Sequence, residues 1–154
     1  MKTILLALLS VAIVDRVAVS VGTRVITSSE IDLRIRLTAF ENGEKPVFDA
    51  GTRKVAVERL IDQKLVEREM DVGHYPRTKS GESKHAVDPA MLAAYSITED
   101  DVEEDLARQA DLLTFLNLRF RAGSDERADA DMENWLKDQR KRTKITYLEK
   151  DLAP

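Results

Sequence analysis

The sequence predicts a mainly α domain, a helical body fastened by a short N-terminal β-hairpin that a C-terminal strand joins. Three observations predict it. Apolar residues alternate on either side of a single Gly-Thr pair near the start, a strand period. Long segments then carry apolar residues at helical spacing, two of them opened by capping-box pairs. A short stretch near the end returns to alternation.

Met1-Lys2, the apolar run Ile4 to Leu9 and the small-x-small pattern Ser10-Val11-Ala12 have the layout of a secretory signal peptide, residues 1–12. The alternative is a buried first strand or helix. Removal after Ala12 leaves 13–154 as one domain, a size that fits a single core. Val17, Val19 and Val21 form one strand, and Gly22 at the first central position suits a type II′ turn into Arg24-Val25-Ile26-Thr27. Thr27 with Glu30, or Ser29 with Asp32, caps a helix running to about Glu41, with Ile31, Leu33, Ile35, Leu37 and Phe40 inward. Asn42 to Pro46 is a loop. Between Ala50 and Asp71 the stripe Val57, Leu60, Ile61, Leu65 marks a second helix, its far side kept wet by Arg59, Asp62, Lys64 and Glu67, and Gly73 ends it.

His74 to Asp88 holds Pro76 and Gly81 without apolar period and reads as an exposed loop. Thr98 and Asp101 box the start of a third helix whose core stripe is Val102, Leu106, Ala110, Leu113, Leu116 and Phe120. Its second half adds a row at spacing three, Leu112, Phe115 and Leu118. Ser124 caps a fourth helix, with Ala128, Met132, Trp135 and Leu136 inward, ending around Thr143. Lys144 to Glu149 alternates as a closing strand, placed to pair with the hairpin, which alone is marginal in water.

Composition narrows function. A net charge of −4 opposes general attraction to phosphate backbones or anionic lipid surfaces, and the absence of cysteine excludes thiol chemistry and disulfides. No later stretch approaches the ~20 uncharged apolar residues of a membrane span, so the mature chain is expected not to insert in a membrane. Six of the seven residues from Glu99 to Asp105 are acidic, but consecutive acids on a helix diverge, and carboxylates in a first turn complement the helix dipole. Arg140-Lys141-Arg142 with Lys144 is the one basic cluster; it suits a helix C-terminus and lacks the interleaved aromatics of a nucleic-acid platform. His74 and His85 lie in the polar loop without metal-ligand spacing, and neither a nucleophile elbow nor a phosphate loop occurs. The expectation is a binding protein with no catalytic, metal or cofactor site. Leu112, Phe115, Leu118 and Trp135 are the candidate polypeptide-binding residues. Apolar residues at helical spacing are more often core, and the alternative is a partly exposed apolar groove for extended or unfolded chains.

The run from Val14 to Thr27, followed by Ser28-Ser29-Glu30-Ile31-Asp32, resembles the start of mature SurA-type chaperones, and Glu58-Arg59-Leu60-Ile61-Asp62-Gln63-Lys64-Leu65-Val66-Glu67-Arg68-Glu69 resembles the helix that follows there at comparable separation. The two segments bracket about a third of the chain. From Thr98 onward only the helical layout is similar. The resemblance implies a periplasmic, ATP-independent chaperone of a diderm bacterium that shields unfolded outer-membrane or secreted polypeptides. Family members usually carry parvulin prolyl-isomerase modules. A polar loop, two helices and a strand leave no room for one, since such a module needs about 100 residues of its own, so isomerase activity does not carry over. An exported structural or assembly factor with one fixed partner and a degenerate isomerase are the alternative readings.

Overall fold

A computed structural model describes residues 15–79, 87–120 and 126–154. The signal-peptide reading, His85 and the Ser124 cap lie outside the described residues.

Strands β1 (Val17–Val21) and β2 (Arg24–Thr27) form the antiparallel hairpin, with Val21 opposite Arg24. Gly22 has φ +61 while Thr23 keeps a negative φ, the sign pattern of a type II′ turn. The pairing slips between Val17 and Val19, a bulge that turns Ala18 inward beside Val19. The Ala18 carbonyl there accepts from the backbone N–H groups of Leu148 and Glu149, which anchors the far end of the chain. Strand β3 (Ile145–Tyr147) pairs antiparallel with β1, giving the order β2-β1-β3. A 3-10 turn, Lys150–Leu152, then buries Leu152 in the main core, an anchor the sequence reading did not anticipate.

Helix α1 (Ser28–Asn42) starts at the expected box: the Thr27 hydroxyl accepts from Glu30 N–H, and the Glu30 carboxylate accepts from Thr27 N–H at 3.0 Å. Thr27→Ala is expected to cost about 1 kcal/mol of unfolding free energy by removing this reciprocal cap. A urea midpoint equal to the parent's would refute it. Helix α2 (Ala50–Val72) buries the predicted stripe Val57, Leu60, Ile61 and Leu65 against α1 and the sheet. It ends at Gly73, where a Cβ would lie 2.4 Å from the Tyr75 ring, so only glycine lets that ring fold back. The far side of α2 is drier than its composition suggests. Lys64, with Glu30, and Glu67, with Arg24, are half-buried in ion pairs, and so is Asp62, with Arg140.

Helix α3 (Pro89–Tyr95) was absent from the sequence reading, so three helices rather than two follow the polar loop. Its signal was present: Asp88 caps Ala90 N–H, and Pro89 occupies the first turn, where its missing N–H costs nothing. Tyr95 meets Phe40 of α1 edge-on at 5.4 Å. Helix α4 (Glu99–Phe120) opens on the expected Thr98–Asp101 box, and α5 (Glu126–Arg142) follows. Three apolar clusters result. The main one joins the sheet, α1, α2 and Leu152. The second gathers Leu37, Ile97 and Val102 under α3, and the third holds Val66, Met70 and Phe115 between α2, α4 and α5.

Candidate functional site

The described part of α4 does not present one apolar stripe inward. Val102 is buried as expected, but Leu113, assigned to the core stripe, is 61% exposed. Asp105 and Asp111 take inward positions instead. Each is met by an arginine from another element: Arg34 Nη2 donates to Asp105 at 2.5 Å, and Arg77 Nη1 donates to Asp111 at 3.2 Å. The Thr78 N–H also donates to Asp111, at 2.6 Å, which ties the segment after Gly73 onto α4. Hydrophobic periodicity misses such a face because its inward positions are carboxylates that pairing with arginine makes tolerable.

The four candidate binding residues fall in different places. Phe115 is fully buried and contacts three aromatic neighbours, with Trp135 at 5.1 Å, Tyr75 at 5.5 Å and Phe120 at 5.8 Å. Trp135 is half-buried in the same cluster, its indole N–H enclosed without an acceptor among the described residues. Leu112 and Leu118 are 39% and 58% exposed. Geometry accounts for the split. A row at spacing three drifts about 60° around a helix per step, so its middle member points at the core and its outer members flank it.

Leu112 borders a cleft of about 330 Å3 between α2, α4 and α5. Val66, Met70, Met132 and Leu136 supply the rest of its apolar lining, with Phe115 packed behind Val66 and Met70. Leu118 does not line it. Polar walls surround this lining. Arg34 with Asp105 closes the α1 side, Arg77 with Asp111 the side of the following segment, and Asp62, held by Arg140 at 2.7 Å, the α5 side. Of these residues, sequence reasoning singled out only Leu112 as a binding residue. The i, i+4 pair Val66 and Met70 continues the α2 stripe and was the available signal.

Titration follows this geometry. Burial alone would push the Asp105 carboxyl up, and the charge and hydrogen bond of Arg34 outweigh it, holding the group below its ordinary value. Glu41, at the end of α1, shares the Gln109 amide with Asp105, at 2.6 and 3.1 Å respectively. Partial burial and then the Asp105 charge raise the Glu41 carboxyl. Burial also raises Asp62 against the pull of Arg140. Tyr147, partly buried and donating to Glu58 at 2.9 Å, is pushed up to about 12.

The other sequence candidates disperse. Asp101 is spent on its cap, Asp105 turns inward, and among the described residues no three His, Asp or Glu side chains gather as a metal site. His74 is exposed. Arg140 leaves the basic cluster to bind Glu58 and Asp62, while Lys141, Arg142 and Lys144 face solvent. Among the described residues no helix is long and apolar enough to cross a membrane.

Fold and cleft define a small, mainly α domain in which three helices surround an apolar cleft with ion-paired walls. No protein-family model matches the chain, and no curated protein matches it either.

Proposed function

We propose that the chain is an ATP-independent polypeptide-binding domain of the SurA-type chaperone kind, acting in the periplasm on unfolded outer-membrane or secreted chains. The observation that carries this reading is the solvent-open cleft, with an apolar lining that includes Leu112. An extended segment needs somewhere to place one or two apolar side chains and polar walls beside them for its backbone, and the cleft offers both. Leu113 and Leu118, exposed on the same helix, widen the apolar surface available to a longer client. Met70 and Met132 suit varied clients, because an unbranched thioether adapts to differently shaped side chains. The likeness of the hairpin and of α2 to SurA-type chaperones supplies the compartment and the client class.

The test is suppression of light scattering by several unrelated outer-membrane proteins diluted from urea. The full chain in molar excess is expected to delay aggregation of all of them, and Leu112→Asp, which puts a charge at the mouth of the cleft without touching the core, is expected to abolish most of the delay. No delay at any excess would overturn the proposal. Protection of a single protein would favour a fixed-partner assembly factor instead.

A further inference from the structure

The four carboxylates lining the cleft are already engaged: Asp105 by Arg34, Asp111 by Arg77, Asp62 by Arg140 and Glu67 by Arg24. The unspent polar capacity of the lining is cationic. Arg59, exposed on α2, has no ion pair or hydrogen bond among the described residues, whereas Arg108 is already paired with Glu104 and Asp105. A basic side chain entering the cleft meets carboxylates whose charge an arginine already offsets, beside an uncompensated guanidinium. A carboxylate meets the open Arg59 guanidinium and displaces nothing.

We propose that the cleft selects segments of an unfolded chain in which an apolar side chain is closely followed by the side-chain carboxylate of an aspartate or glutamate. The apolar group sits against Met70, Leu112 and Leu136, and the carboxylate is taken by the Arg59 guanidinium, whose planar fork suits it. This rests on the polypeptide-binding reading above and adds the chemistry of the segment bound. Arg59 is solvent-exposed, so a pair formed there is open to screening by salt.

The experiment uses fluorescence anisotropy with three labelled peptides, amidated at the C-terminus and identical except for one Glu, Gln or Lys after a leucine. The Glu peptide is expected to bind about tenfold more tightly than the Gln peptide, as one charge-assisted hydrogen bond provides, and the Lys peptide more weakly than either. Arg59→Gln is expected to bring the Glu peptide down to the affinity of the Gln peptide, Arg59→Lys to restore part of the difference, and added salt to shrink it. Arg59 is on the exposed side of α2, so circular dichroism of both variants is expected to match the parent. Equal affinities for Glu and Gln peptides, a preference that survives Arg59→Gln, or no binding of any peptide overturns the proposal. Delayed aggregation of unfolded proteins alongside any of those results leaves polypeptide binding standing without carboxylate selection. Failure of both assays removes both.

Discussion

Phe115→Ala is expected to lower the free energy of unfolding by about 3–5 kcal/mol, while Leu118→Ala, three residues along the same helix, changes it by less than about 0.5 kcal/mol. The contrast follows from position alone. Phe115 has no exposed surface and is enclosed by Val66, Met70 and the rings of Tyr75, Phe120 and Trp135, so truncation leaves a cavity that α2, α4 and α5 would all have to move to fill. Leu118 loses contacts mainly with solvent. The chain's one tryptophan stands 5.1 Å from the Phe115 ring, so its fluorescence reports urea unfolding of this cluster directly. Midpoints should separate widely at an unchanged slope with denaturant. Similar shifts for the two variants would mean that Phe115 does not anchor α4 against α2 and α5.

Asp105→Ala carries the second large effect, again about 3–5 kcal/mol at neutral pH, the cost of removing one partner from a buried ion pair. Arg34, itself largely buried, would keep only the Gln63 amide oxygen, at 3.5 Å. The loss depends on pH with a definite sign. Burial opposes ionisation of Asp105 and Arg34 more than offsets it, so the native value lies below the ordinary 3.8. The stability contributed by Asp105 is therefore present above that ordinary value and is lost as pH falls through the lower native one. The gap between parent and Asp105→Ala should narrow on acidification. Glu41 runs the other way: its raised native value means that its contribution is present below the ordinary 4.5 and is lost as pH rises through the native value. Urea midpoints followed from neutral to acid pH separate these effects, and a gap that stays constant on acidification would assign the loss to packing instead of charge.

The parts of this fold that were legible in the sequence are those fixed by local rules. Gly22 in a two-residue turn, Thr27 with Glu30, Thr98 with Asp101 and the α2 stripe each state their structure within a few residues. Helix α3 was equally local, but seven residues are too few to show a period, and Asp88-Pro89 had to be read without one. The cleft was not legible for another reason. Its walls are carboxylates and guanidiniums separated by up to 78 positions, as with Asp62 and Arg140, and nothing in the neighbourhood of either residue specifies the other. Asp105 and Asp111 look like solvated charges in a helix pattern, and only the arrival of Arg34 and Arg77 makes them interior groups. Of the row Leu112, Phe115, Leu118 it is Phe115 that enters the core, in place of Leu113 from the expected stripe, and which residue faces inward depends on where α2 and α5 lie.

The middle strand of the sheet comes from the beginning of the chain and one of its neighbours from the end, with Val19 opposite Tyr147 and Leu152 plugged into the core below. As the polypeptide is synthesised, the hairpin and α1 emerge before the closing strand, which lies more than a hundred residues further along. Until then one side of β1 has no hydrogen-bonding partner and the Leu152 site is empty. Until residues 145–152 arrive, the domain is an incomplete sheet with an open core, and its closure waits on a segment more than a hundred positions from the strand it completes.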